Sequence, residues 1–156
     1  MDSVNCVKFQ PFTNTFASAS ADKTISLWDI RSGLCIQTFY GHLNSVNKLD
    51  FTARGDSIAS CDADGVVKVW DIRSVKERAQ YDVGPYSANG VSWDKSGQVI
   101  AVACDDGVVR VISDETGKID SELKDHQDSV QDVVFDVNTK ALISCASDCT
   151  FKLYQA

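Results

Sequence analysis

The chain has 156 residues, of which 44% are hydrophobic and 24% charged, and its net charge is −7. That composition suits one globular domain with a buried core. The acidic balance argues against tracking nucleic-acid phosphates, which needs a basic face, and no apolar run reaches the length of a membrane-spanning helix. The opening MDSVNCVKFQPF lacks the basic-then-apolar form of a secretory leader. A reducing, cytoplasmic setting is therefore expected, and the six cysteines need not pair.

In chain order, SVNCVKF, TFASAS, TISLWD and LCIQTF each alternate apolar and polar residues, as half-buried strands require. The set returns as SVNKLDF, SIASCD, VVKVWD and ERAQYDV, then as SANGVSW, VIAVAC, VVRVIS and IDSELK. A fourth round gives SVQDVVF, LISCAS and TFKLYQ, with no outer strand after it. Asp22, Asp64, Asp106 and Asp148 are each 42 residues apart, as are Trp28, Trp70, Ile112 and Tyr154. A fixed period of this size belongs to four-stranded propeller blades. The expected fold is an all-β propeller with blades near 3–42, 45–84, 87–126 and 129–156. Lacking an outer strand in its last blade, the chain is expected to be part of a larger ring of about seven blades. Asp64-Gly65 and Asp106-Gly107 supply hairpin turns that accept positive φ. Lys23 and Cys149 stand in the glycine slot and should be less comfortable there.

The Gly-His, Ser, Asp and Trp-Asp marks, at this spacing along the whole chain, resemble the WD-repeat family. The resemblance implies a buried hydrogen-bonded tetrad in each blade. Carried over by position, the second blade has His42, Ser60, Asp64 and Trp70. The first has Ser18, Asp22 and Trp28; the fourth has His126, Ser144 and Asp148, with Tyr154 in the Trp slot. The third keeps only Asp106, since Gly84, Val102 and Ile112 fill the other positions. Asp62, in the column of Ser20, Cys104 and Ala146, is expected to lie outside the tetrad. Asp64→Ala is accordingly expected to cost more than Asp106→Ala.

The resemblance also places a polar column near one rim of the central channel: Ser3, Ser45, Ser87 and Ser129, followed by Asn5, Asn47, Asn89 and Gln131. These amides and hydroxyls could meet a protein partner or satisfy one another. WDIR occurs at Trp28–Arg31 and Trp70–Arg73, resembling the motif by which substrate receptors of cullin-RING ubiquitin ligases meet their adaptor. Cys61 and Cys145 share a column with Ala19 and Ala103 and read as small buried residues. Cys145, Cys149 and His126 lack the second ligand pair that a zinc site needs. Asp105 and Asp106 are explained by turn chemistry rather than acid–base work. Between Asp94 and Asp136 eleven acids face four Lys or Arg, which reads as a solvated flank or a surface that steers a basic partner.

The stretches RGDSIASCDADGVVKVWDIRS and DVGPYSANGVSWDKSGQVIA resemble WD-repeat proteins of the ciliary central apparatus. The resemblance implies a non-catalytic scaffold in the axoneme of motile cilia, bound to other central-apparatus proteins. No cofactor is expected, and the charge, the ligand spacing and the short apolar runs lead to the same expectation for nucleic acid, metal and membrane. The remaining blades are expected from the same native chain or another subunit.

Overall fold

The computed structural model describes residues 2–136, 138 and 141–155. The first sheet is built from β1 (Val4–Phe9), β2 (Thr15–Ser20), β3 (Thr24–Asp29) and β4 (Cys35–Tyr40), paired in chain order. The second holds β5 (Val46–Phe51), β6 (Ser57–Asp62), β7 (Val66–Asp71) and β8 (Lys76–Asp82). The third holds β9 (Ala88–Trp93), β10 (Val99–Cys104), β11 (Val109–Ser113) and β12 (Ile119–Leu123). The fourth has three strands, β13 (Val130–Phe135), β14 (Leu142–Ala146) and β15 (Phe151–Tyr154). All pairings are antiparallel, and no helix occurs among the described residues.

The core lies between sheets rather than at one centre. Ala17, Ala19, Ile25 and Leu27 of the first sheet pack on Leu49, Phe51 and Ile58 of the second. Ala59, Cys61, Val67 and Val69 repeat that role against Val91, Trp93 and Ile100 of the third. Ala101, Ala103 and Val109 repeat it against Val133 and Leu142 of the fourth. Each sheet thus gives small or β-branched residues from its inner strands to the next, which permits close approach of two pleated faces. Cys145 departs from expectation: it is exposed, because among the described residues no further sheet covers its face.

In every sheet the first strand carries a bulge. The ladder skips from Val4 to Cys6, Val46 to Lys48, Ala88 to Gly90 and Val130 to Asp132. The skipped residues are Asn5, Asn47, Asn89 and Gln131, so the bulge turns each amide out of its own ladder and towards a neighbour. The fourth strand does the same at Ile36, Arg78 and Asp120.

Turns between second and third strands, together with the sheet-to-sheet connections, form one end of the molecule, here called the upper end. The other two turn types form the lower end. At the upper turns Lys23 (φ 73°) and Cys149 (φ 64°) adopt the left-handed backbone that Gly65 (φ 78°) and Gly107 (φ 82°) adopt without strain. A Cβ on Gly65 would also lie 2.3 Å from the Gly84 carbonyl oxygen. At the lower turns Gly33 (φ 69°) and Gly117 (φ 68°) occupy one column, and Val75 (φ 56°) stands between them. A β-branched side chain is poorly suited to that region. Val75→Gly is expected to stabilise the fold by about 1 kcal/mol. The check is a raised urea midpoint with an unchanged slope; a lowered midpoint would overturn the strain argument.

Candidate functional site: polar rim and buried braces

In the second sheet, Ser60 and Asp62 are two residues apart on β6 and therefore face the same side. His42, in the connection entering that sheet, lies between them. Its Nε2 is 2.7 Å from Ser60 Oγ and its Nδ1 is 2.7 Å from Asp62 Oδ2. The Trp70 indole N–H donates to Ser60 Oγ at 2.8 Å. A carboxylate only accepts, so Nδ1 carries the proton, Ser60 O–H donates to Nε2, and Trp70 donates to Ser60. Asp62 also accepts the backbone N–H of Asp64 (3.0 Å) and of Val66 (2.9 Å). Burial opposes its charge, but the donors from His42, Val66 and Asp64 outweigh it and hold the carboxyl below its ordinary range.

The acid of this tetrad is therefore Asp62 and not Asp64. Asp64 lies beyond the end of β6 and accepts the Asn44 side-chain amide at 2.8 Å in an exposed position. The 42-residue column misassigned the acid because β6 ends on a carboxylate, Asp62, which reaches His42 from the strand itself and leaves Asp64 to the turn beyond. Where the strand-end slot holds no carboxylate, the turn acid takes over: in the fourth sheet that slot is Ala146. There His126 Nδ1 meets Asp148 Oδ2 at 2.9 Å and Nε2 meets Ser144 Oγ at 2.7 Å. With both ring nitrogens occupied, His126 is no partner for Cys145 or Cys149. In the first sheet Trp28 donates to Ser18 at 2.9 Å, while Asp22 is turned to Thr24 of its own turn.

The third sheet replaces the tetrad with an ion pair. Arg110 binds both oxygens of Asp106, at 3.1 and 2.6 Å, and its Nε lies 3.4 Å from Glu122. Alternation places Arg110 beside the slot left apolar by Val102 and Ile112. Burial raises the nearby Cys104 thiol to about 11 despite the Arg110 charge. The Cys61 thiol is pushed well up by full burial, so neither is a ready nucleophile.

The rim amides act between sheets. Asn5 Nδ2 donates to Ser45 Oγ (3.0 Å) and the Val46 carbonyl (2.9 Å). Asn47 does the same to Ser87 and Ala88, and Asn89 to Ser129 and Val130. Ser3 donates to Asn5 within its own sheet. Gln131, which has no following sheet among the described residues, instead donates to Ser129 and Ser147. The rim is thus first a set of sheet-to-sheet fasteners. A second set lies deeper: Lys8 meets Asp50 at 3.0 Å, and Asp50 in turn accepts Ser92 O–H and the Trp93 N–H.

The acidic flank is also largely engaged. Asp94 accepts four donors from Ser96, Gln98 and Val99, Asp105 accepts Ser129, and Asp114 accepts Arg78 and Tyr81. Across the inner strands Lys48 Nζ reaches Asp132 Oδ2 at 2.5 Å. Gly90 sits beneath, where a Cβ would come within 2.9 Å of Asp132 Oδ1. Sequence reading missed this bond; the only clue was a lysine, a glycine and an aspartate in one column. At the lower end Arg31 and Arg73 are exposed, while Asp29 and Asp71 accept the N–H of Ser32 and Ser74.

The WD40 family model (WD domain, G-beta repeat) matches residues 1–29 and 33–71, and the model of the anaphase-promoting complex subunit 4 WD40 domain matches 85–145. With four repeated antiparallel sheets and these matches, the chain belongs to the WD40 repeat family. It is 45% identical over 40 residues to nuclear distribution protein nudF 1 of Talaromyces marneffei, covering 26% of this chain and 9% of that protein. It is 48% identical over 40 residues to an F-box protein of Saccharomyces cerevisiae, covering 26% and 6%. A probable E3 ubiquitin ligase complex SCF subunit sconB of Talaromyces stipitatus is 48% identical over 42 residues, covering 27% and 6%. The matches therefore span less than a tenth of each of these relatives.

Proposed function

We propose that this WD40 chain is a docking scaffold of the ciliary central apparatus, part of a propeller whose remaining blades come from the same native chain or another subunit. WD40 domains bind proteins, and the chain is a domain of that kind. The observation that carries the docking reading is the WD40 match itself; the pair of apolar end faces supports further blades beside the first and fourth sheets. Val7, Phe9, Phe16 and Ile30 of the first sheet correspond, 42 residues on, to Leu49, Phe51, Ile58 and Ile72, which the first sheet covers. Phe9 is 72% exposed while Phe51 is 5% exposed. At the other end Ile143, Phe151 and Leu153 are exposed where Ala17, Ile25 and Leu27 are buried. Apolar side chains exposed together at each end call for a partner, and blades of the same kind fit them.

The ciliary assignment is supported by the likeness of RGDSIASCDADGVVKVWDIRS and its continuation to the C-terminal propeller of sperm-associated antigen 16, a central-apparatus protein. A second reading, a substrate receptor of a cullin-RING ligase, is favoured by the exposed Arg31 and Arg73 and by the F-box and SCF relatives. One experiment separates them: immunoprecipitation of the tagged full-length protein from ciliated cells, with imaging of its position. Enrichment along the central microtubule pair with axonemal proteins supports the first. Absence from the axoneme overturns it, and recovery of the ligase adaptor, lost in Arg31→Ala/Arg73→Ala, establishes the second.

A further inference from the structure

We infer that the outer edge of the first sheet is a docking site for an extended, uncharged strand of a partner protein. This rests on the scaffold reading and adds where on the scaffold, and through what chemistry, a partner binds. β4 is the last strand of its sheet. On the side away from β3, its backbone N–H and C=O groups meet no further strand among the described residues. A row of such groups pairs readily with another extended chain.

Sheets guard edges of this kind with charge, and this chain does so twice. β8 carries Lys76, Glu77, Arg78 and Asp82, and β12 carries Asp120 and Glu122, all exposed. β4 (CIQTFY) carries no charge. The contrast holds position by position at the 42-residue spacing. Leu34 stands where the next two blades have Lys76 and Lys118, Ile36 where they have Arg78 and Asp120, and Tyr40 where they have Asp82 and Lys124. Those three apolar side chains are 65%, 53% and 75% exposed. No Asp, Glu, Lys or Arg occurs from Ser32 to Asn47, the longest such stretch in the chain.

The form of the edge decides the occupant. All three outer strands share a bulge, at Ile36, Arg78 and Asp120, so the bulge is not what sets β4 apart. Beyond it Gln37, Thr38, Phe39 and Tyr40 pair in unbroken register with Leu27, Ser26, Ile25 and Thr24. That leaves a regular run of edge groups. An extended backbone matches them, whereas a helix has already bonded its N–H and C=O groups within itself. Beside Leu34, Ile36 and Tyr40, β-branched and aromatic side chains fit, while a charge would lose water and gain no counter-charge. A second copy fits less well, since each chain brings a net charge of −7 to the contact.

The test is fluorescence anisotropy of the full chain with a fluorescein-labelled peptide of alternating threonine and isoleucine, and with the same peptide N-methylated along its backbone. The first is expected to bind; the second, which has lost its N–H donors, is not. Leu34→Lys/Ile36→Arg/Tyr40→Asp gives the first sheet the charges with which the second sheet folds, and should lower affinity at least about tenfold. Phe12→Lys makes the same change of net charge at an exposed ring in the β1–β2 turn and should leave affinity unchanged. Hydrogen exchange locates the contact: bound peptide should slow the amides of β4 and leave those of β8 and β12 as they were. That readout holds even where the triple variant fails to fold. The inference is overturned by no binding, by equal affinity of the N-methylated peptide or of a folded triple variant, or by equal loss in Phe12→Lys. Protection that falls on another element overturns it too, as do dimers of the chain that protect β4 and exclude the peptide. None of these outcomes depends on where the protein resides in the cell, so the ciliary placement stands or falls separately.

Discussion

Asp62→Ala is expected to lower stability by about 2–3 kcal/mol, whereas Asp64→Ala should change it by no more than about 0.5 kcal/mol. The first removes the acceptor for His42 Nδ1–H and for two backbone N–H groups in a site where His42 and Ser60 are buried. The second removes one exposed contact with Asn44. Urea midpoints of the two variants measure the difference, and equal midpoints would refute the assignment of Asp62 to the tetrad. The same site gives a pH dependence. An unfolded aspartate titrates near about 3.9, and the folded value of Asp62 is lower. Its stabilisation is therefore complete above that unfolded value and is lost as pH falls through the folded one. Asp62→Asn should flatten the acid limb of the stability curve relative to the native chain; an unchanged limb would show that other carboxylates set it.

Asp106→Ala is expected to be at least as damaging, costing about 3 kcal/mol. The loss would come from the cation left behind. Arg110 is largely buried beneath the third sheet's turn, and Asp106 binds its two terminal nitrogens. Glu122 at 3.4 Å is a weaker and more exposed second partner. A double variant, Asp106→Ala/Arg110→Met, removes the orphaned charge and should recover most of the loss. Failure of the second substitution to restore the midpoint would place the damage in the turn, where Asp106 also accepts the Val108 N–H, rather than in the buried charge. Reading the sequence by column ranked Asp106 below Asp64; the geometry reverses that order.

The repeat was legible because every blade solves the same problem with residues of the same type. Ala17, Ala59 and Ala101 show it, as do the serines and asparagines of the rim. The turns were legible where backbone sterics speak directly, as at Lys23 and Cys149. What stayed hidden was any choice between two nearby candidates. Asp62 and Asp64 are two residues apart and share a parity; they differ because β6 ends at Asp62 and Asp64 lies in the turn beyond it, and Ser60-x-Asp62 on one strand was the signal that could have separated them. The Arg110 brace was readable in principle, since Asp106 and Arg110 straddle a tight turn, but an apolar tetrad slot suggested a gap rather than a substitute.

The Lys48–Asp132 bond joins residues 84 apart and passes over Gly90. It ties β5 of the second sheet directly to β13 of the fourth across the first strand of the third, so three consecutive blades are stitched at their inner strands by one ion pair. A bulkier residue at 90 would press on the Asp132 carboxylate that makes the stitch.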